Sequence, residues 1–439
     1  MRVDFLRPLV LLAASGFALE APAAASGSSM FRADASHRGV YASSAPALTT
    51  VKWRFHPGGK FISSPTIADG SVYVGNSDGK LYAVRAADGS LLWSFTTGGA
   101  VNSTPAVWNG IVVASSRDGN VYGIDAQSGR KRWAFKTGGE RRFTAPGIHG
   151  LSPAKEMMPD PFDVLLSSPA ISDGVAYIGS GDRYVYALDA TTGSLRWKFL
   201  TGNVVHASPA VAGGMVYIGS WDRYLYALDT RSGALRWRFA TGDDRTIYNQ
   251  VGIASSAAVA GDRVYFGCRD SKFYALDART GTLQWKHDER GSWVIGSPAV
   301  ANGVVYYTTS DEKRFWALDA ATGAEKFNLA YGSFAFSSPS IAGNVAYFGT
   351  FDGRLYGVDA RSGQVVGRFS TDASAQHLSS HLDKQGNVDL NTFYDDPTLD
   401  GTIVGLERIY ALGSIVASPA IDDGVLYVGS TEGTLYAVT

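Results

Sequence analysis

Apolar residues in this chain come in short runs that recur in a fixed order. Each cycle reads as a Ser/Thr-Pro start among small residues, a turn, an apolar strand built on Val-Tyr, an acidic turn, and then Leu-Tyr-Ala-Leu-Asp or a close variant. The anchors of the copies are Pro65, Pro105, Pro169, Pro209, Ala257, Pro298, Pro339 and Pro419, spaced by 40, 64, 40, 48, 41, 41 and 80 residues. A period near 40 with four short strands per cycle predicts a propeller, because one such sheet cannot bury both its faces alone. The fold class expected is therefore all-β, an eight-bladed β-propeller of four-stranded antiparallel blades.

The third copy shows the strand plan. Strand A is expected near residues 165–171, B at 174–180, C at 184–189 and D at 195–200. Asp173-Gly174 turns A into B, as do Asp69-Gly70, Asn109-Gly110, Asn302-Gly303 and Asp423-Gly424 elsewhere, supplying the positive φ of tight hairpins. Asp125, Asp189, Asp229, Asp277, Asp319 and Asp359 recur at the C-to-D turn and are expected to cap backbone N–H groups. Strand D carries Trp93, Trp133, Trp197, Trp237 and Trp285, then Phe327, rings that suit packing between neighbouring sheets. The last copy stops after strand C, at Thr439. Residues 51–55, Val-Lys-Trp-Arg-Phe, match Leu195-Arg196-Trp197-Lys198-Phe199 and are expected to close that blade.

Composition narrows the setting. The repeat runs through nearly all of the 439 residues, so one domain is expected over 26–439, with inserted loops at 138–166, 242–254 and 370–416. Lys plus Arg (39) balances Asp plus Glu (40), which argues against a nucleic-acid partner. Arg2 and Arg7, the apolar run Leu9–Leu19 and the pair Ala23 and Ala25 read as a signal peptide over 1–25. Cys268 is the only cysteine, so neither an internal disulfide nor a lipid-bearing cysteine at the cleavage point is available. The mature chain is expected to be a periplasmic or secreted monomer without a membrane span.

The repeats, for example GSVYVGNSDGKLYAV and GMVYIGSWDRYLYALDTRSGALRW, resemble pyrroloquinoline-quinone (PQQ) type propeller repeats, and Met30–Tyr41, MFRADASHRGVY, resembles the stretch that precedes their first blade. The resemblance covers about residues 30–439. It implies the fold, and it implies either of two activities. Such repeats build quinoprotein dehydrogenases, in which PQQ lies between a tryptophan and adjacent disulfide-linked cysteines above calcium. They also build the BamB outer-membrane assembly scaffold.

Departures from the repeat point to a site. In propellers the D-to-A connections and B-to-C turns share one face, and the three insertions all fall in D-to-A connections. The B-to-C turns of copies 1, 2, 7 and 8 carry Gly79, Gly119, Gly353 and Gly433, where copies 3 to 6 place Arg183, Arg223, Ser271 and Glu312. His206 and Asn102 stand three before the Pro anchor, where other copies are mostly apolar. A pocket of Arg183, His206, Trp221, Arg223, Tyr248, Asn249, Gln250, Arg269 and Trp293 would be cationic, aromatic and amide-rich, suiting an anionic or sugar-like ligand. His206 with Arg223 or Arg183 is the pairing that could supply a base and a charge-stabilising group. His377 and His381 form a weaker metal-binding spacing, and Thr402–Leu412 has the apolar spacing of a short helix. No cofactor follows from the residues; PQQ with calcium remains open through the resemblance. The leading expectation is a non-catalytic binding or scaffold protein for envelope or secreted proteins. The alternatives are a PQQ-dependent dehydrogenase and a carbohydrate- or anion-binding propeller.

Overall fold

The computed structural model describes residues 28–243 and 251–439. The expected signal peptide, and Tyr248, Asn249 and Gln250, lie outside the described residues. Eight sheets with a common antiparallel A-B-C-D core follow one another along the chain. Their inner strands touch neighbour to neighbour all the way round, the eighth (Ala420–Asp422) meeting the first (Thr66–Ala68). The all-β, eight-bladed expectation holds. Val51–Phe55 pairs with Leu435–Val438, with Trp53 opposite Ala437, and completes the last blade. In the third blade strand A is shorter than expected, Ala170–Ser172, because the residues before it turn into the central channel.

What they do there explains the Ser/Thr before each anchor. Ser64, Thr104, Ser168, Ser208, Ser256, Ser297, Ser338 and Ser418 form a closed ring around the channel. Each backbone N–H donates to the hydroxyl of the next blade at 2.8–3.2 Å, and Ser418 donates back to Ser64. A buried hydroxyl thereby satisfies a backbone donor that no sheet reaches.

A second device locks blade to blade farther out. The indole N–H of Trp53, Trp93, Trp133, Trp197, Trp237 and Trp285 donates to a carbonyl just beyond strand C of the next blade, at 2.8–3.1 Å. The same ring faces the glycine of that blade's C-to-D turn. A Cβ on Gly233 would lie 2.7 Å from the Trp197 ring. The aspartates of these turns accept backbone N–H groups, as at Asp189 with Thr191 and Thr192. Blade 7 has Gly367 where the tryptophan would stand, and Leu48 packs there instead. Its neighbour has no C-to-D turn to clamp: Thr439 meets Thr49 and Thr50 by backbone hydrogen bonds at that corner.

The segment before residue 51 seals one end of the channel. Ser28–Ser29 adds to blade 2 and Val40–Tyr41 to blade 7. Between them the carbonyls of Ala35, Ser36, Arg38 and Gly39 accept from the inner strands of blades 4 to 7. Arg32 and His37 are buried in this plug. Burial pulls Arg32 down to about 10 and His37 down to about 3, so His37 is neutral at pH 7.

At the opposite end lie the insertions. Residues 138–166 contain a two-stranded ribbon, Thr144–Pro146 with Met157–Pro159. Residues 370–416 contain α1 (Asp372–His377) and α2 (Leu399–Tyr410), each capped by a threonine, Thr371 and Thr398. α2 buries Leu406, Ile409 and Tyr410 against Ile62, Ile295, Phe336 and Val416 at the top of the channel, forming a second apolar core above the ring. A bridge between Ser152 and Thr398 joins the two insertions. No helix among the described residues is long and apolar enough to cross a membrane.

Candidate functional site

Above the hydroxyl ring each blade contributes one more inward side chain, and His206 and Asn102 are the polar members. Residues 138–166 bring acids down onto them. The Nδ1 of His206 lies 2.7 Å from Asp163 and its Nε2 3.3 Å from Glu140. Asp163 also accepts the Phe143 N–H, and Glu140 accepts from Ser180 and Gly181. Asn102 donates to the Val164 carbonyl. Burial alone would depress His206, but the carboxylates of Asp163 and Glu140 outweigh it and lift it to about 9. His206 is thus held toward its protonated form and closed off from solvent.

Arg269 sits in a second buried cluster. Its guanidinium lies 3.6 Å from the centre of the Trp293 ring and 4.7 Å from that of Trp221. Asp160 accepts from it and, at 3.0 Å, from His149 Nε2. Phe143 stacks on the far side of Trp221 at 4.4 Å. Burial works to raise Asp160, but Arg269 and His149 hold it well below the usual carboxylate range; burial pulls His149 down. A charge buried between two indoles and a carboxylate is compensated and inaccessible.

The structure therefore brings together His206, Trp221, Arg269 and Trp293, as a buried lattice beneath residues 138–166 with Trp293 at its edge on the cleft. It does not bring Arg183 or Arg223 to them. Both stand exposed on their B-to-C turns in the left-handed region, at φ 78° and 75°. Ser271 is at φ 64°. In copy 6 the left-handed residue is Lys313, not Glu312, because that turn is one residue longer: Thr309 N–H bonds Arg314, where Ser180 N–H bonds Tyr184. Residue patterns missed Glu140, His149, Asp160 and Asp163. The available signal was electrostatic, since a buried His and Arg require acids and the first insertion supplies them.

A cleft opens on this face. It lies between the two insertions over blades 5 to 7 and has a volume of about 580 Å³. Its walls are Phe162, Trp293, Phe334, Phe336, Phe351 and Tyr394, and its polar lining includes His149, Arg290, Asp311 and Glu312. Burial and the neighbouring Glu289 carboxylate push Glu312 up.

The remaining candidates separate. His377 is exposed at the end of α1, while His381 bonds Thr392 and stacks on Phe393. Among the described residues no group of three or more His, Cys, Asp or Glu side chains could hold a metal. Glu407 pairs with Lys60, and Arg408 with Asp395. PQQ and calcium do not fit what is present. The cavity on the channel axis is about 30 Å³, far below the roughly 300 Å³ of the smallest ordinary ligand pockets. In the open cleft a tricarboxylate would face Asp311 and Glu312. Cys268, the only cysteine, is buried.

Solved structures similar to this one share its fold at low sequence identity. BamB from Moraxella catarrhalis matches with a TM-score of 0.63 and 15% identity, over 88% of this chain and 98% of the other. Quinohemoprotein alcohol dehydrogenase from Comamonas testosteroni matches at 0.68 and 15%, over 93% and 79%. A europium-containing methanol dehydrogenase matches at 0.66 and 14%, over 92% and 96%. Among curated protein sequences none matches significantly. A family model described as outer membrane protein assembly factor BamB matches residues 37–158, 151–292 and 250–438, nearly the whole propeller. With its closed ring of PQQ-like repeats, the chain belongs to that BamB-type family.

Proposed function

We propose that this protein is a non-catalytic scaffold of the cell envelope, periplasmic or secreted, that holds a partner protein on the face carrying the insertions. One observation carries this reading. His206 and Arg269 are locked in buried ion clusters, while among the described residues Arg183, Lys198 and Arg238 stand on this side without an ion pair.

Those cations form a repeated unit. Asp182-Arg183-Tyr184 in blade 3 recurs as Asp222-Arg223-Tyr224 in blade 4. In each, the aspartate is held by the tyrosine four residues on, Tyr186 or Tyr226. Lys198 lies 4.5 Å over the Tyr184 ring and Arg238 4.6 Å over that of Tyr224. Among the described residues Arg183, Lys198 and Arg238 make no ion pair, and Arg223 reaches Asp243 only at 3.9 Å. Arginines kept in a strained backbone conformation, where other copies use glycine, are unfavourable for folding alone. They suit an acidic segment of a partner, whose carboxylates take guanidinium groups in bidentate fashion. Family membership supports the scaffold role, and the poor fit of the funnel for PQQ weighs against the dehydrogenase.

The test is site-specific photo-crosslinking in the native envelope. A crosslinker at Arg183 or Arg223 should trap a discrete protein, and one at Val366, on the outer strand of blade 7, should not. Charge reversal, Arg183→Glu with Arg223→Glu, should abolish the adduct formed from a third site, Lys198. Turnover of alcohols by the PQQ- and calcium-loaded protein, with no crosslinked partner, would overturn the proposal.

A further inference from the structure

The open cleft is built by the parts of the chain that break the repeat, and its chemistry is narrower than its volume. Phe334 and Tyr394 are partly exposed within it, and Trp293 and Phe336 form its deeper wall. These rings offer flat apolar surface. Around them stand Asp311, Glu312 and Arg290. The extra residue of the blade 6 turn sets this rim: Ser310 Oγ donates to Asp311, and Ser292 Oγ accepts the Glu312 N–H.

Charge decides against two ligand classes. An anion would meet Asp311 and Glu312, with Arg290 the one Lys or Arg among the lining side chains. A cation would compete with one already in place, since Lys313 lies 5.8 Å over the Phe334 ring. What remains is a neutral molecule with an apolar face and hydroxyls around its edge. Its C–H face would stack on the rings, while its hydroxyls would donate to the carboxylates and accept from the guanidinium.

His149 adds a further polar group. It is held in the left-handed region at φ 54°, with its Nε2 3.0 Å from Asp160 and 3.4 Å from Arg269 Nη2. Its Nδ1 has no hydrogen-bond partner and is itself buried, on a ring whose edge lines the cleft. A strained residue with an unpartnered ring nitrogen, beside a preformed cavity, is the pattern of a ligand site. We propose that the cleft between the two insertions is a binding subsite for a neutral saccharide of about two rings.

The test is calorimetric titration of the purified protein with neutral oligosaccharides, maltose, cellobiose and N,N′-diacetylchitobiose. Sialyllactose and choline serve as the anionic and cationic probes. At least one neutral saccharide should bind saturably, and neither charged probe should. Asp311→Asn and Phe334→Ala should each weaken that binding by about tenfold or more. The melting temperature of Asp311→Asn should match that of the wild type, which separates lost binding from lost fold. Binding of choline or sialyllactose in place of the neutral sugars, neutral binding indifferent to both substitutions, or no binding at all would each overturn the proposal. None of these outcomes touches the scaffold reading, which is read at Arg183 and Arg223.

Discussion

His206 shows how one residue's surroundings reverse its meaning. A histidine at an inward position suggests a base, yet between Asp163 and Glu140 it is held toward its protonated form. Its folded value, about 9, lies above the ordinary 6.5. The stabilisation it brings is therefore fully present below pH 6.5 and lost as pH rises through 9, on the order of 3 kcal/mol. Thermal unfolding between pH 6 and 10 should show this alkaline decline in the wild type and lack it in His206→Gln. His37 has the opposite sign. Held neutral at about 3, it contributes stability above pH 6.5 that is lost as pH falls toward 3. Arg183 and Arg223 give a second prediction at this scale. Arg223→Gly relieves a left-handed backbone and should stabilise the fold by about 0.5–1 kcal/mol while weakening partner capture. A variant that melts lower than the wild type would show that Arg223 makes contacts worth more than its strain.

At the scale of the element, the repeat is two halves of one joint. The tryptophan of strand D and the glycine of the next blade's C-to-D turn lie 36 to 60 residues apart in sequence but meet face to face, so neither can change alone. Gly233→Ala puts a methyl 2.7 Å from Trp197 at φ 69° and should cost about 2–4 kcal/mol in chemical denaturation. Gly213→Ala, also at positive φ but with open space around it, should cost about 1 kcal/mol. Equal losses would refute the clamp. These strands and joints were legible because each residue type does one job in nearly every blade. The candidate site was legible only in part. Trp221, His206, Arg269 and Trp293 stood out by breaking the pattern, but what they contact lies in residues 138–166, which have no periodicity to read. Side-chain direction was the second obstacle. Arg183 and Arg223 follow an aspartate held inward by a tyrosine, and their left-handed backbone turns them out to solvent.

Across the whole molecule, stability depends on closure. Each blade is held by its two neighbours, and the ring of hydroxyl-accepted N–H bonds returns to its starting point only if blade 8 is in place. Blade 8 is complete only when residues 51–55 lie beside Leu435–Val438. Removing residues up to 56 would do four things at once. It opens the Leu435–Val438 edge, empties the Trp53 site against Gly89 and Ala86, breaks the Thr49 and Thr50 bonds to Thr439, and withdraws the channel plug. The Trp53 side chain alone, nearly buried, is worth about 3–5 kcal/mol. The truncated chain should therefore lose its single cooperative transition and aggregate through the unpaired edge, whereas Trp53→Ala should melt lower in one step. Because the missing piece is an edge strand with the plug before it, a synthetic peptide of residues 28–57 added in trans should restore the transition, and a scrambled peptide should not. A truncated protein that melts like the wild type would mean that the seven intact blades hold the ring without the strand. Rescue by the scrambled peptide would mean that any extended segment suffices, and that Trp53 and its register carry no specificity.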